Sequence, residues 1–214
     1  MISKYSTEGL IEAEFQSGSR GRVLKNKLGI TGKRKMDHLE TQALLETQEY
    51  YYRVISKDDP ITKDLIKEMH YKFFGKIYEW AGNYRKVNLS KGGFTWPPAY
   101  LVAKNMTEFE KDTLLVHTPC KAGHIDDAAN SIAIVHSEFL LVHPFREGNG
   151  RIARLISDLM ALQSDFPVLD FDFSKRRTRD NYIKAVTQGY KQNYEPLKSL
   201  IKEVLVKSIE EFGK

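Results

Sequence analysis

Cysteine is almost absent from this chain, since Cys120 is the only one among 214 residues. An intrachain disulfide and a cysteine-rich zinc site both need more than one thiol, so both are excluded. Two histidines flank Cys120, at positions 117 and 124, but no fourth ligand stands at a matching spacing and we expect no metal there. Such low cysteine usage suits a reducing compartment, and we expect a cytoplasmic protein.

Long apolar runs are missing as well, so the sequence contains no candidate for a membrane-spanning helix. The first residues, Met1–Ser6, lack the apolar core of a signal peptide. We therefore expect no membrane partner.

The composition is that of a globular domain with a sizeable core, because 41% of the residues are apolar and 11% are aromatic. The formal charge of +5 suits an anionic ligand such as a nucleotide, but it fits nucleic acid or a merely soluble surface equally well. Residues 1–36 differ from the rest, with a loop-like stretch at Ser17–Arg22 and a basic stretch at Lys25–Lys35. We interpret them as an extension that wraps the domain, and a nucleic-acid-binding tail is the less favoured interpretation.

Apolar residues recur at helical spacing through most of the remaining chain, which predicts an all-α fold. The predicted helices cover residues 36–54, 65–80, 100–115, 128–142, 152–163, 174–192 and 195–212. The helix over 128–142 is the most apolar, so we expect it to be central, buried and capped by Asp126 and Asp127. Pro144 disfavours helical geometry at His143, which should therefore lie at the end of this helix and face outward.

A β-hairpin is predicted between the second and third helices. Polar and apolar residues alternate over Tyr84–Ser90 and again over Phe94–Trp96, on either side of Gly92 and Gly93. A lone two-stranded hairpin is marginal in water, so it must lean on the core or use its edge. Two interpretations stay open: a connector, or a strand edge that captures an extended peptide.

The densest group of polar residues is His143–Arg154, with the sequence HPFREGNGRIAR. Glycines at 148 and 150 allow positive φ, so that successive N–H groups can face one concavity at the start of a helix, which suits phosphates. Arg151 and Arg154 are cations in the first turn, where positive charge is unfavourable to the helix dipole. Their position makes sense if a polyphosphate lies between them.

Two further residues of this stretch supply reactive groups. Glu147 would stand beside the phosphates, where Mg²⁺ prefers one or two carboxylates. His143 has a pKa range suited to taking a proton from a hydroxyl at neutral pH. The stretch therefore predicts phosphoryl- or nucleotidyl-transfer chemistry.

The stretch matches without a gap the His-x-Phe-x-(Asp/Glu)-Gly-Asn-Gly-Arg-x-x-Arg signature of the Fic (filamentation-induced-by-cAMP) family, and the chain resembles that family over residues 37–205. Residues 82–85, 92–94 and 97–98 resemble the family's hairpin flap, and 206–214 would be the end of a C-terminal helix. Residues 30–31 and 36–40 resemble the Fic subgroup called mobile mystery protein B.

The resemblance implies a Fic-fold helical bundle that transfers AMP from ATP to a Tyr, Thr or Ser hydroxyl of a target protein. His143 would be the base, and Glu147 would bind Mg²⁺. The phosphates would be held by Gly148, Asn149, Gly150, Arg151 and Arg154. The target segment would be clamped by the flap residues Val87, Asn88, Leu89, Gly92, Gly93 and Phe94.

Three classes of function are distinguished at this point. The first class is an enzyme that transfers AMP. Gly150 favours this class, because Doc toxins, which transfer phosphate, carry a lysine at that position. An enzyme that moves another group, such as phosphate, UMP or phosphocholine, is the second class. A non-catalytic module that binds peptides or nucleic acid is the third, and the intact His143, Glu147 and Arg154 argue against it.

The inhibitory helix of many Fic proteins, (Ser/Thr)-x-x-x-Glu-(Gly/Asn), has no clear match. Ser199–Glu203 has the spacing, but Val204 follows; Glu8-Gly9 has the ending, but Lys4 stands in place of Ser or Thr. We therefore expect restraint by a separate antitoxin-like partner. Homo-oligomers are left open by the sequence.

Overall fold

The computed structural model describes residues 9–212, and within them no helix is long and apolar enough to cross a membrane. The fold is mostly helical, as predicted. The elements in chain order are α1 (Lys33–Val54), α2 (Lys63–Phe74), β1 (Ser90–Lys91), β2 (Phe94–Thr95), α3 (Val102–Phe109), α4 (Leu115–His117), α5 (Ile125–Val142), α6 (Asn149–Gln163), α7 (Arg176–Gly189) and α8 (Glu195–Phe212).

Helix α5 is the centre of the bundle, and this prediction is confirmed. It packs against α3, α6, α7 and α8, and its residues Ile132, Val135 and Phe139 are fully buried. The predicted cap is wrong, however. His124 is the N-cap without a side-chain cap bond, and Asp126 and Asp127 lie inside the first turn, where their charges favour the helix dipole.

Two helices are shorter than the apolar spacing predicted. Helix α2 ends at Phe74, and the following residues Ile77 and Trp80 are buried from a series of turns. The third predicted helix is interrupted by a π-helical stretch, Glu110–Leu114, between α3 and α4. Apolar periodicity reports which side chains are buried, and turns can bury them as well as a helix does.

The described part of the N-terminal extension packs against the bundle, and α1 begins at Lys33, inside the predicted extension 1–36. Val23 is buried in the core, and Phe15 and Leu24 form an isolated antiparallel bridge. The Lys27 N–H donates to the carbonyl of Ile77 at 2.9 Å. The extension therefore contributes to the same core as the helices.

Candidate active site

His143 lies directly after α5, in the left-handed conformation with φ 51° and ψ 59°. Its ring Nδ1 is 3.1 Å from the carbonyl oxygen of Leu140, and a carbonyl only accepts, so Nδ1 carries the hydrogen. The ring Nε2 is therefore the atom that can accept a proton. Trp96 stacks on the imidazole with ring centroids 4.0 Å apart, so the side chain is half-buried rather than fully outward-facing.

Burial controls the protonation of His143. It lowers the pKa of the imidazole to about 4; the hydrogen bond to Leu140 opposes this, whereas the positive charges of Arg85 and Lys91 add to it. The ring is consequently neutral at pH 7, which is the state that a general base needs.

The glycines of the motif play different roles. Gly148 has φ +82° and is the N-cap of α6, and a Cβ there would lie 2.5 Å from Cε2 of Phe74. Gly150 lies inside α6, and the prediction of a positive φ at this residue is wrong. A Cβ at Gly150 would meet only Nη1 of Arg154, at 3.6 Å, so the residue keeps a space open beside that guanidinium.

Asn149 is buried and uses its side chain to hold the motif loop. Its Oδ1 accepts from the N–H of Phe145 at 2.9 Å, and its Nδ2 donates to the carbonyl of the same residue at 2.8 Å. Phe145 is fully buried and anchors the loop, as predicted. Asn149 and Gly150 begin α6, so their backbone N–H groups have no partner in its ladder and are free to face an anion.

Arg151 pairs with a carboxylate of another helix. Its Nη1 lies 2.7 Å from Oε2 of Glu40 in α1, and its guanidinium lies over the rings of Phe73 and Phe74. The other oxygen of Glu40 accepts from the hydroxyl of Tyr78 at 2.7 Å. This arrangement joins α6 to α1.

Arg154 presents its charge at the start of α6. Its guanidinium lies over the ring of Phe173, 5.1 Å from the centroid, and no carboxylate of the described chain lies within 4.0 Å of it. Asp158, one helical turn further on, is buried and hydrogen-bonded to Tyr52 at 2.7 Å. Burial raises the pKa of Asp158 to about 7. The two arginines therefore differ in their partners: Arg151 pairs with a carboxylate, and Arg154 lies over an aromatic ring. Phosphate binding by both remains a prediction.

Glu147 has a half-exposed side chain, and its Oε1 is 3.6 Å from Nη1 of Arg146. Groups of three or more metal-ligating side chains are not found among the described residues. A single exposed carboxylate beside a helix start fits Mg²⁺ that is otherwise held by phosphate oxygens and water.

His70 holds the loop that carries Phe145 and Glu147. It is fully buried, stacks on Phe145 at 3.8 Å, and its Nε2 donates to the carbonyl of Glu147 at 3.1 Å. Its Nδ1 accepts from the N–H of Gly82 at 2.8 Å. Burial lowers the pKa of His70 to about 3, so the ring stays neutral.

The predicted hairpin is present but short. Ser90 pairs with Thr95 and Lys91 with Phe94, and both glycines of the turn have positive φ. Three of the predicted docking residues come before β1. Val87 is buried, Asn88 accepts the N–H of Ala99 through its side chain, and Leu89 accepts the N–H of Trp96 through its carbonyl.

Arg85 was not singled out by sequence reasoning, although it joins the flap to the motif. Its Nε donates to the carbonyl of His143 at 2.7 Å, Nη1 to that of Val87 at 3.0 Å, and Nη2 to that of Pro97 at 2.7 Å. The side chain is buried. Its place in the 82–85 stretch that resembles the flap was the available signal, but its three acceptors are backbone atoms, which leave no sequence pattern.

Residues 60–161 match the model of the Fic/DOC family. The protein adenylyltransferase Fic of Nematostella vectensis is 30% identical over 78% of this chain and 38% of its own length. The protein adenylyltransferase VbhT of Bartonella schoenbuchensis is 25% identical over 86% of this chain and 37% of its own length. This chain therefore spans less than two fifths of the length of either relative.

Solved structures show the same fold. The BepC effector protein of Bartonella tribocorum, with bound AMPPNP, is 23% identical and covers 85% of this chain and 91% of its own, with a TM-score of 0.70. A Fic-1 structure from C. elegans is 26% identical and covers 86% of this chain and 53% of its own, with a TM-score of 0.69.

Proposed function

We propose that this chain is a protein adenylyltransferase, which moves AMP from ATP to a hydroxyl side chain of a target protein. The match of residues 60–161 to the Fic/DOC family supports this proposal. The observation that carries the proposal is the arrangement around His143. A neutral imidazole, whose Nε2 can accept a proton, lies at the end of α5. Residues 144–148 join it to the start of α6, which we assign to the phosphates.

The reaction would proceed by a single displacement at the α-phosphorus of ATP. His143 Nε2 takes the proton of the acceptor hydroxyl, whose oxygen forms the new bond to the α-phosphorus. The bond from that phosphorus to the bridging oxygen breaks, and pyrophosphate leaves. Arg154 and the first N–H groups of α6 stabilise the negative charge of the phosphates.

Mg²⁺ is the cofactor that we propose for Glu147. The ion would neutralise the phosphate oxygens during the displacement. The exposed carboxylate and its position beside the start of α6 support this assignment.

The flap is proposed to bind the target by strand addition. The exposed edge at Ser90, Lys91 and Thr95 supports this role better than Val87 and Asn88 do, since those two residues hold the base of the hairpin. The turn glycines, Gly92 and Gly93, are exposed between the two strands.

Restraint by a separate antitoxin-like partner remains our proposal for regulation. Glu203 is exposed on α8 and is not paired with Arg154, whereas Glu8 lies outside the described residues. If the purified chain is silent and Glu203→Gly or Glu8→Gly activates it, the restraint is internal.

Labelled ATP tests the proposed transfer. We expect label from the α-phosphate on protein, no label from the γ-phosphate, and loss of transfer in His143→Ala or on removal of Mg²⁺ with a chelator. His124→Ala, at an exposed histidine outside the motif, is the matched control. Transfer from the γ-phosphate would assign phosphorylation instead, and wild-type labelling by His143→Ala would refute its role as base.

A further inference from the structure

One acidic residue of the N-terminal extension lies inside the active-site region. Glu12 belongs to a single 3₁₀ turn, Ile11–Ala13, and its side chain is only 5% exposed. It precedes the family domain by almost fifty residues, so nothing in the family match assigns it a role. A carboxylate is rarely buried to this extent unless it is paired with donors or charges.

Glu12 contacts both sides of the site. Its carboxylate accepts the backbone N–H of Lys86, which lies between Arg85 and the flap residue Val87. Its own carbonyl accepts from Nε of Arg146 at 2.8 Å, and Nη1 of Arg146 lies 3.6 Å from Glu147. One turn of the extension therefore joins the base of the flap to the motif loop.

A buried cation, Arg85, lies near the carboxylate of Glu12. Arg85 is 2% exposed, and the acceptors of its side chain are the carbonyls of His143, Val87 and Pro97, none of which is charged. Burial lowers the pKa of Arg85, and the nearby charge of Glu12 opposes that shift. Glu12 therefore places a negative charge near Arg85, in addition to its hydrogen bond with the next residue, Lys86.

We propose that Glu12 is a positioning residue that fixes the flap relative to His143, by binding the Lys86 N–H and balancing the charge of Arg85. The N-terminal extension is then part of the apparatus that presents the acceptor hydroxyl to the base. The consequence for transfer rests on the proposed function, whereas the effect on the flap does not.

Hydrogen exchange of the flap amides tests the positioning directly. In Glu12→Ala, which loses both the acceptor and the charge, we expect the amides of residues 86–96 to exchange about tenfold faster. Glu12→Gln keeps an acceptor oxygen but loses the charge, so its effect should be intermediate. Glu14→Gln is the matched control, because Glu14 lies two residues further on and pairs with Lys25 at the surface.

Activity provides the second measurement. Glu12→Ala should transfer about tenfold less α-phosphate label to protein, whereas its affinity for ATP, measured by calorimetry, should stay within about twofold of wild type. Unchanged exchange over residues 86–96 would overturn the proposal, and so would faster exchange spread equally over α5 and α8. If the wild type transfers no label, the proposed function fails and the exchange result still decides the role of Glu12.

Discussion

At the scale of single residues, Gly148 and Gly150 show how neighbouring glycines can meet different requirements. Gly148 combines a positive φ with close contact to Phe74, so both backbone and space exclude a side chain. Gly150 has helical geometry, and only the guanidinium of Arg154 lies near the missing Cβ. The first glycine is needed for folding, and the second is available for ligand binding.

Alanine substitutions should separate these requirements. Gly148→Ala should lower the free energy of unfolding by about 2–4 kcal/mol, through left-handed strain and a contact of 2.5 Å with Phe74. Gly150→Ala should keep or raise stability, by up to about 1 kcal/mol, because alanine favours a helix. Its methyl group would fill the space beside Arg154, and we expect ATP to bind about tenfold more weakly.

Urea denaturation and ATP calorimetry on both variants check this pair. Equal losses of stability in the two variants would contradict the assignment of Gly150 to the ligand site.

The sequence predicted His143 at the end of α5, the helix that follows the motif and the loop anchor Phe145, because each depends on residues within one short stretch. It could not predict the ion pair of Arg151, because the partner of that arginine, Glu40, lies 111 residues away in the chain. Helical spacing determines the face of α6 from which a side chain projects. Long flexible side chains then follow the partner that the tertiary structure provides.

At the scale of secondary structure, α1 is tied to the motif helix by two polar contacts. Glu40 pairs with Arg151, and Tyr52 donates to Asp158. Both contacts are largely shielded from water, since the Glu40 side chain is 13% exposed and Asp158 is 3% exposed. They fix α6 against α1.

Glu40→Ala should lower the free energy of unfolding by about 1–3 kcal/mol, because Arg151 and the Tyr78 hydroxyl both lose a partly buried partner. Glu49→Ala is the matched control on the same helix. It removes an exposed pair with Arg53, and its effect should stay within about 0.5 kcal/mol. Thermal or urea unfolding measures both, and equal effects would show that the Glu40 pair is only a surface contact.

Element boundaries were predicted less well than element identity. The π-helical stretch after α3 and the turns after α2 keep their apolar side chains buried, so their spacing still looks helical. The shortness of the strands was also not predictable, since alternation over Tyr84–Ser90 reflects contacts of that segment with the motif as well as strand pairing.

At the scale of the whole molecule, three neutral histidines are built into the interior. Burial lowers the pKa of His70 and His136 to about 3 and that of His143 to about 4. An unfolded chain protonates these rings near pH 6.5, so it binds more protons than the native state below that pH. Asp158 acts in the opposite direction, because its raised pKa of about 7 lets the native state hold one extra proton.

Burial lowers the pKa of His117 as well. Four groups against one give a clear sign: stability should fall as the pH is lowered from about 7 to 4. Each net proton contributes a slope of about 1.4 kcal/mol per pH unit. Urea unfolding at several pH values measures the slope. His136→Gln should reduce it by about one proton, whereas His38→Gln, at an exposed position of α1, should leave it unchanged. A slope that His136→Gln does not alter would contradict this assignment.

The orientation of the His143 ring depends on a backbone carbonyl, which side-chain substitutions leave in place. The carbonyl of Leu140 accepts from His143, Trp96 and Tyr190, and the acceptors of the Arg85 side chain are backbone carbonyls too. Every amino acid supplies the same carbonyl, so substitutions at Leu140 or Val87 that preserve the fold also preserve these acceptors. Over evolutionary time, the neighbours of His143 can therefore drift in sequence while the direction of its proton-accepting nitrogen stays the same.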